Sequence, residues 1–175
     1  MNDSFAHQLK LDQIRDGERV DLVADDPERR SIAARLGLTA LERLDAHAQL
    51  SRVGEVVRAK GRLMALLQQT CVVTGDPVPA HVDEPFEVMF VRPPEVSGPE
   101  EEIELGASDC DVVFYDGGTI DLGEAIADSL ALSLDPYPRS AGAEAALREA
   151  GVITEEQASP FAILAQLKRG DSDKP

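Results

Sequence analysis

The residues best suited to do chemistry are one cysteine and a short row of cations. Cys71 precedes His81 in the same stretch of chain, and a thiol beside an imidazole is the arrangement of an activated nucleophile. Arg58, Lys60 and Arg62 occupy alternate positions, so on a strand they would project from one face about 7 Å apart. The phosphates of a nucleic-acid strand form a comparable row of negative charges. Thiol chemistry and phosphate binding are therefore the two hypotheses to weigh.

Cys71 lacks the neighbours that thiol chemistry requires. A zinc site needs further ligands, usually one of them two or three residues on, and Thr74 occupies that position. The other thiol, Cys110, is flanked by aspartates. A Cys71–His81 pair has no orienting third residue, and the chain has no phosphate-binding glycine loop, nucleophile elbow or metalloprotease signature. We expect a buried free thiol that stands alone as a metal-ligand candidate, with no metal, no cofactor and no enzymatic activity.

The cationic stripe, defined as Arg58, Lys60 and Arg62, has two open interpretations. Its side chains either form ion pairs within the sheet on a solvated face, or they contact RNA phosphates. Arg52 is a fourth RNA-contact candidate from the same basic region. No aromatic residue adjoins the stripe, so a base-stacking RNA platform is not predicted.

Composition limits the class of protein. The 175 residues fit one domain, and 43% hydrophobic content suffices for a core. A net charge of −16 argues against a generally basic nucleic-acid-binding surface. No apolar run approaches membrane-spanning length, the N-terminus does not resemble a signal peptide, and two cysteines make no disulfide framework. These features predict a cytoplasmic protein.

Two segments are candidates for docking a protein partner. Residues 93–108 form a predicted flexible loop with a run of glutamates, which suits a basic partner such as a ribosomal protein. A C-terminal helix over Ser159–Lys168 presents an apolar face. Its partner-docking candidates are Phe161, Leu164, Leu167 and Lys168. A polar tail over 171–175 is expected to be disordered.

A long ribbon of two strands must position these candidates. We predict its arms over Val56–Gln69 and Val82–Arg92, because apolar residues alternate along both. In the first arm the core-facing set is predicted to be Val57, Ala59, Gly61, Leu63, Ala65 and Leu67. Gly61 within a strand predicts a bulge or a close backbone approach.

The remaining elements are predicted to pack around this ribbon. Predicted strands are Phe5–Leu11, Glu18–Ala24, Leu38–Leu50 and Cys110–Tyr115. Predicted helices, besides the C-terminal one, are Pro27–Leu36, a helix capped by Asp121 that continues through Leu134, and Ala141–Ala150. The predicted fold class is α+β: an antiparallel meander or partly closed sheet built on a long central hairpin, with three to four short helices packed around it. One domain would span 1–170.

Four segments, taken together, resemble the YceD family of bacterial and plastid proteins, also called the domain-of-unknown-function 177 family. They are Leu63–Val78 with its Cys71-centred turn, Ile120–Ile126, Asp135–Arg139 and Pro160–Lys168. The resemblance extends from about Phe5 to Lys168.

The resemblance implies a role in accumulation or processing of large-subunit ribosomal RNA, and hence in assembly of the large ribosomal subunit. The implied partners are that RNA, a ribosomal protein or an assembly factor. It implies no established enzymatic reaction and supplies no catalytic residues. Many family members carry Cys-x-x-Cys at the turn, whereas this chain has Cys71 followed by Thr74. An acidic protein-protein adaptor without direct RNA binding is the alternative function.

Overall fold

The computed structural model describes residues 5–93 and 111–152. Its elements are β1 (Gln8–Lys10), β2 (Arg19–Val23), α1 (Asp26–Leu36), β3 (Ala40–Val53), β4 (Val56–Thr70), β5 (Pro77–Val91), β6 (Asp111–Phe114), β7 (Thr119–Asp121), α2 (Leu122–Leu132) and α3 (Ala143–Glu149). A five-stranded sheet in the order β2-β3-β4-β5-β6 forms the frame, and β1 and β7 make a separate two-stranded sheet. The predicted α+β class is confirmed.

The central ribbon is the pair β4 and β5, which run antiparallel from Val57–Phe90 to Thr70–Pro77. Its predicted faces are confirmed. Val57, Ala59, Leu63, Ala65 and Leu67 are all buried, while the stripe is exposed on the opposite face. This alternation follows from the period of two along a strand, so a hydrophobic residue at every second position directs one face to the core.

The strand β6 departs from the predicted meander. The meander holds for β2 to β5, which are antiparallel neighbours, but β6 pairs with β5 in parallel. A tight turn cannot join a parallel pair, and β6 begins twenty residues after the end of β5 at Val91. Among the described residues the sheet is open, with β2 and β6 at its edges.

Capping residues mark the ends of α1 and the start of α2, and the predicted cap at Asp121 is confirmed. The Asp25 side chain accepts the backbone N–H of Glu28, whose own carboxylate accepts the N–H of Asp25, a reciprocal capping box. Gly37 ends α1 at φ +65°, where glycine is favoured. Asp121 caps α2 by accepting the N–H of Glu124 at 3.1 Å. The Asp121 carboxylate also accepts the N–H of His7, which joins α2 to the N-terminal strand.

The core lies on one side of the sheet, under α2. The helix α2 buries Leu122, Ile126 and Leu130 completely, which matches their helical spacing. Two glycines permit close backbone approach there. A Cβ at Gly61 would lie 1.8 Å from the carbonyl oxygen of His47, and one at Gly123 would lie 2.2 Å from that of Phe5. The predicted close approach at Gly61 is therefore confirmed.

Several predicted boundaries were wrong. The first strand is Gln8–Lys10 rather than Phe5–Leu11, because it pairs only with the three residues of β7, an element the prediction missed. The second arm begins at Pro77, not Val82. Within the described residues, β6 pairs with β5 only over Val88–Val91, so the proline-containing half of β5 lies at an edge there, where proline is tolerated. The helix after Asp121 ends at Leu132.

Some predictions fall outside the described residues. These are the acidic loop over 93–108 beyond residue 93, Cys110, the helix Ser159–Lys168 and the tail over 171–175. The four partner-docking candidates Phe161, Leu164, Leu167 and Lys168 lie in that undescribed C-terminal part.

Candidate nucleic-acid interface

The solvent side of the five-stranded sheet, here called the open face, carries the cationic stripe. The strand register determines which residues lie beside the stripe. Lys60 lies opposite Gln49 on β3 and Glu87 on β5. Gln49 in turn lies opposite Arg19 on β2. The three cations of the stripe therefore project from one strand onto one surface, as their spacing predicted. The side chain of Lys60 is 72% exposed, so solvent reaches it freely.

Carboxylates of β5 pair with every member of the stripe. Glu87 bridges two of them, at 3.3 Å from Arg58 and 3.2 Å from Lys60. Arg62 donates from Nε to the Asp83 carboxylate. That hydrogen bond raises the pKa of the Arg62 guanidinium and lowers the pKa of Asp83. Exposed pairs of this kind contribute little to stability, so a phosphate can compete with them.

The open face is nearly balanced in charge, in contrast to the whole chain. By register, its cations are Arg19, Arg43, Arg58, Lys60 and Arg62, and its anions are Asp21, Asp45, Asp83 and Glu87. Glu42 adds a fifth anion, because its carboxylate accepts a hydrogen bond from Gln68 on the same face. This face therefore has five cations and five anions, although the net charge of the chain is −16. The sheet therefore separates the cations from most of the acidic surface.

A shallow hollow of about 470 Å³ lies in the middle of the open face. Arg19, His47, Lys60 and Arg62 line it, together with Asp21. His47 Nδ1 lies 2.7 Å from the Asp21 carboxylate. Sequence reasoning missed Arg19 and His47 as members of this surface, because only the β2–β3–β4 register places them beside the stripe. Both residues alternate with apolar residues along their strands, and this alternation could have indicated that they lie on the solvent face.

Arg52 does not join the stripe. Its Nε donates to the carbonyl of Gly54 at 2.9 Å, and its guanidinium also donates to the carbonyl of Leu11. These bonds tie the β3–β4 turn to the N-terminal segment. The structure therefore places Arg52 near the end of β3, beside the turn and separate from the three cations with which the sequence grouped it.

Cys71 is buried at the start of the turn over 71–76, and only 2% of it is exposed. Its Sγ accepts the backbone N–H groups of Ser140 at 3.2 Å and Thr74 at 3.4 Å. The hydroxyls of Thr74 and Ser140 lie 3.0 Å apart, and the N–H of Val72 donates to Pro138 O. The turn is thereby joined to the segment that follows α2.

In the described part of the chain, no imidazole accompanies this thiol. His81 lies opposite Leu66, well along the ribbon from Cys71, so the two are not brought together. Within residues 5–93 and 111–152, no three His, Cys, Asp or Glu side chains are grouped as a metal site would need. The arrangement at Cys71 has the geometry of a structural hydrogen-bond acceptor.

The surroundings of Cys71 favour its thiolate. Burial is the largest single influence and opposes ionisation, but the hydrogen bonds from Ser140 and Thr74 together outweigh it and lower the pKa of Cys71 to about 6. We expect the ultraviolet absorbance of the thiolate to titrate near pH 6 in the folded protein. In denaturant it should titrate near the ordinary cysteine value of about 8.5.

The same shift predicts how stability depends on pH. Between the folded and unfolded pKa values of Cys71, the unfolded chain binds the proton and the folded chain does not. The free energy of unfolding should therefore rise with pH through this window, and the contribution should be lost as pH falls through about 6. Urea titrations across pH in a Cys110→Ser background measure it, with Cys71→Ala as the reference. An equal pH dependence in both proteins would contradict the prediction.

Fold and surface together define the class: an α+β protein with an open, largely antiparallel sheet that displays a row of cations on its solvent face. A family model described as large ribosomal RNA subunit accumulation protein YceD matches residues 59–168. That range is more than half of the 175 residues, so the chain belongs to the YceD family. The family name implies a role in accumulation of large-subunit ribosomal RNA. No curated protein and no solved structure matches the chain.

The range matched by the family model covers most of the stripe. It includes Lys60 and Arg62 with their partners Glu87 and Asp83, and it begins one residue after Arg58. It also includes Cys71. Arg19 and Arg52 precede it. Among the described residues, no helix is sufficiently long and apolar to span a bilayer.

Proposed function

We propose that this protein supports accumulation and processing of large-subunit ribosomal RNA, and assembly of the 50S subunit, as a non-enzymatic cytoplasmic factor. In this proposal the open face binds the phosphate backbone of the RNA through Arg58, Lys60 and Arg62. The observation that carries it is the row of three exposed cations on one strand in a chain of strongly negative net charge. The family description is the reason for choosing large-subunit ribosomal RNA as the ligand.

The acidic remainder of the chain restricts which surface of the protein RNA can approach. Phosphates are attracted only where cations are concentrated, and elsewhere the acidic surface repels RNA. RNA that docks on the open face must displace Glu87 and Asp83 from the stripe. That exchange replaces one carboxylate shared by two cations with separate phosphates, and it releases counterions from the RNA.

Salt dependence tests the phosphate contacts. Replacing Arg58, Lys60 and Arg62 together with alanine should weaken binding to large-subunit RNA and reduce the slope of log affinity against log salt by about two to three units. Filter binding at several salt concentrations measures both quantities. The matched control replaces Arg30, Arg139 and Arg148, which are exposed elsewhere, and should leave the slope near that of the parent. An unchanged slope in the stripe variant removes the stripe from the interface.

A companion variant acts in the opposite direction. Glu87→Gln removes the carboxylate that holds Arg58 and Lys60, so it should raise RNA affinity by a few fold, in line with the modest strength of exposed ion pairs. The salt slope should stay at the parent value or steepen. Weaker binding by Glu87→Gln would indicate that the paired arrangement itself is what the RNA recognises.

A protein-protein adaptor is the second candidate. The pairing of every stripe cation with a carboxylate favours it, because no stripe cation is free of an acidic neighbour. Nuclease treatment of a native pull-down separates the two functions: partners retained after RNA is digested support the adaptor, and partners lost support direct RNA binding.

A further inference from the structure

A groove of about 380 Å³ lies between β6 and α2, at the edge of the sheet and away from the stripe. Its lining combines an apolar floor with an acidic rim. Val113 and Ala125 contribute apolar side chains, Phe114 borders the groove, and Glu124 and Asp128 contribute carboxylates. We call this feature the β6–α2 groove.

The acidic rim is exposed and only partly neutralised. The side chains of Glu124 and Asp128 are 64% and 62% exposed, and within the described residues their cationic neighbour is Arg35, at 3.9 and 3.4 Å. They are four residues apart on α2, so they line one face of the helix. Asp116 and Asp121 also line the groove. The Asp116 carboxylate accepts the N–H of Gly117, and the Asp121 carboxylate accepts the N–H groups of His7 and Glu124. Glu124 and Asp128 are the two carboxylates that we assign to a ligand.

The strand β6 leaves apolar side chains accessible on both of its faces. Val113, which lies opposite the buried Phe90, is only partly buried on the α2 side. Phe114, which lies opposite Val91, is on the other face, and it is 55% exposed. Within residues 5–93 and 111–152, β6 pairs with β5 alone, so the backbone groups along its other edge have no strand partner there. An edge of this kind accepts an added strand.

We propose that the β6–α2 groove binds an extended, lysine- and arginine-bearing segment of a protein partner. The segment adds along β6, its apolar side chains cover Phe114, and its cations reach Glu124 and Asp128. Charge complementarity selects this occupant. RNA is repelled by the rim.

A peptide-binding experiment with the full chain tests the proposal. The probe is a fluorescent peptide of strand length, about six residues, that alternates valine with lysine or arginine. Anisotropy should show saturable binding, and a peptide with glutamine in place of the cations should bind much more weakly. The double variant Glu124→Gln/Asp128→Asn should weaken binding by about three- to tenfold. Phe114→Ser should weaken it by a similar factor without changing the net charge.

Controls separate a specific site from general attraction to an acidic protein. Glu144→Gln/Glu149→Gln removes two exposed charges from α3 and should leave peptide affinity unchanged. An equal loss in this control overturns the proposal, as does unaltered binding in the groove variants. A several-fold gain in affinity after removal of residues 153–175 also overturns it, because the occupant would then be the chain's own C-terminal part. The salt slope of RNA binding by the groove variants should match the parent.

Discussion

Replacing Gly61 with alanine is expected to lower the free energy of unfolding by about 3 kcal/mol, at the upper end of the range for overpacking. The added Cβ would lie 1.8 Å from the carbonyl oxygen of His47 and 2.8 Å from its carbonyl carbon. These are backbone atoms of β3, so no side-chain rotation relieves the clash. Either β3 and β4 separate or their pairing is locally lost, and both outcomes reduce hydrogen bonding and core packing.

Gly118→Ala is the matched control for this prediction. A Cβ at Gly118 meets nothing within 4 Å, so we expect a change within about 0.5 kcal/mol. Urea denaturation followed by circular dichroism measures both variants. Comparable stability of the two proteins would show that the ribbon tolerates separation at Gly61. Lys60 and Arg62 flank that position, so the variant should also disturb the stripe and weaken RNA binding.

Leu130→Ala is expected to cost about 2–5 kcal/mol of the free energy of unfolding. Leu130 lies on α2, is completely buried, and belongs to the main core. Removing its side chain loses the transfer free energy of the apolar atoms and leaves a cavity between α2 and the sheet.

The same substitution two residues later provides the control. Leu132 lies on α2 as well, but it is 74% exposed, so Leu132→Ala should change stability by no more than about 0.5 kcal/mol. Both substitutions introduce alanine into one helix, and the comparison therefore isolates burial from helix propensity. A loss of stability at Leu132 as large as that at Leu130 would contradict the assigned face of α2.

The candidate site was predictable in part. Alternation along β4 placed Arg58, Lys60 and Arg62 on one exposed face, and the structure has them there. Their pairing with Glu87 and Asp83 was left as one of two open interpretations, because it depends on the β4–β5 register. The predicted second arm began at Val82, and a register built from that start does not align Lys60 with Glu87.

The β6–α2 groove could not be predicted from the sequence. Phe114 and Glu124 belong to a strand and a helix that are joined through β7, an element of three residues that is too short for an alternating pattern. Its pairing with β1 brings together residues more than a hundred positions apart, such as His7 and Asp121. No window of neighbouring residues contains that contact, so pattern reasoning does not detect it.

The sequence by itself determined the features that depend on neighbouring residues. The inward and outward faces of β4, the caps of α1 and α2, the glycine at the close approach and the family pattern all follow from spacing over a few positions. Only the tertiary structure decided that β6 runs parallel to β5, that Glu87 joins two cations, and that acidic α2 lies beside an apolar edge strand. Those outcomes depend on packing between distant segments, which is settled by the free energy of the whole fold and not by any single stretch of chain.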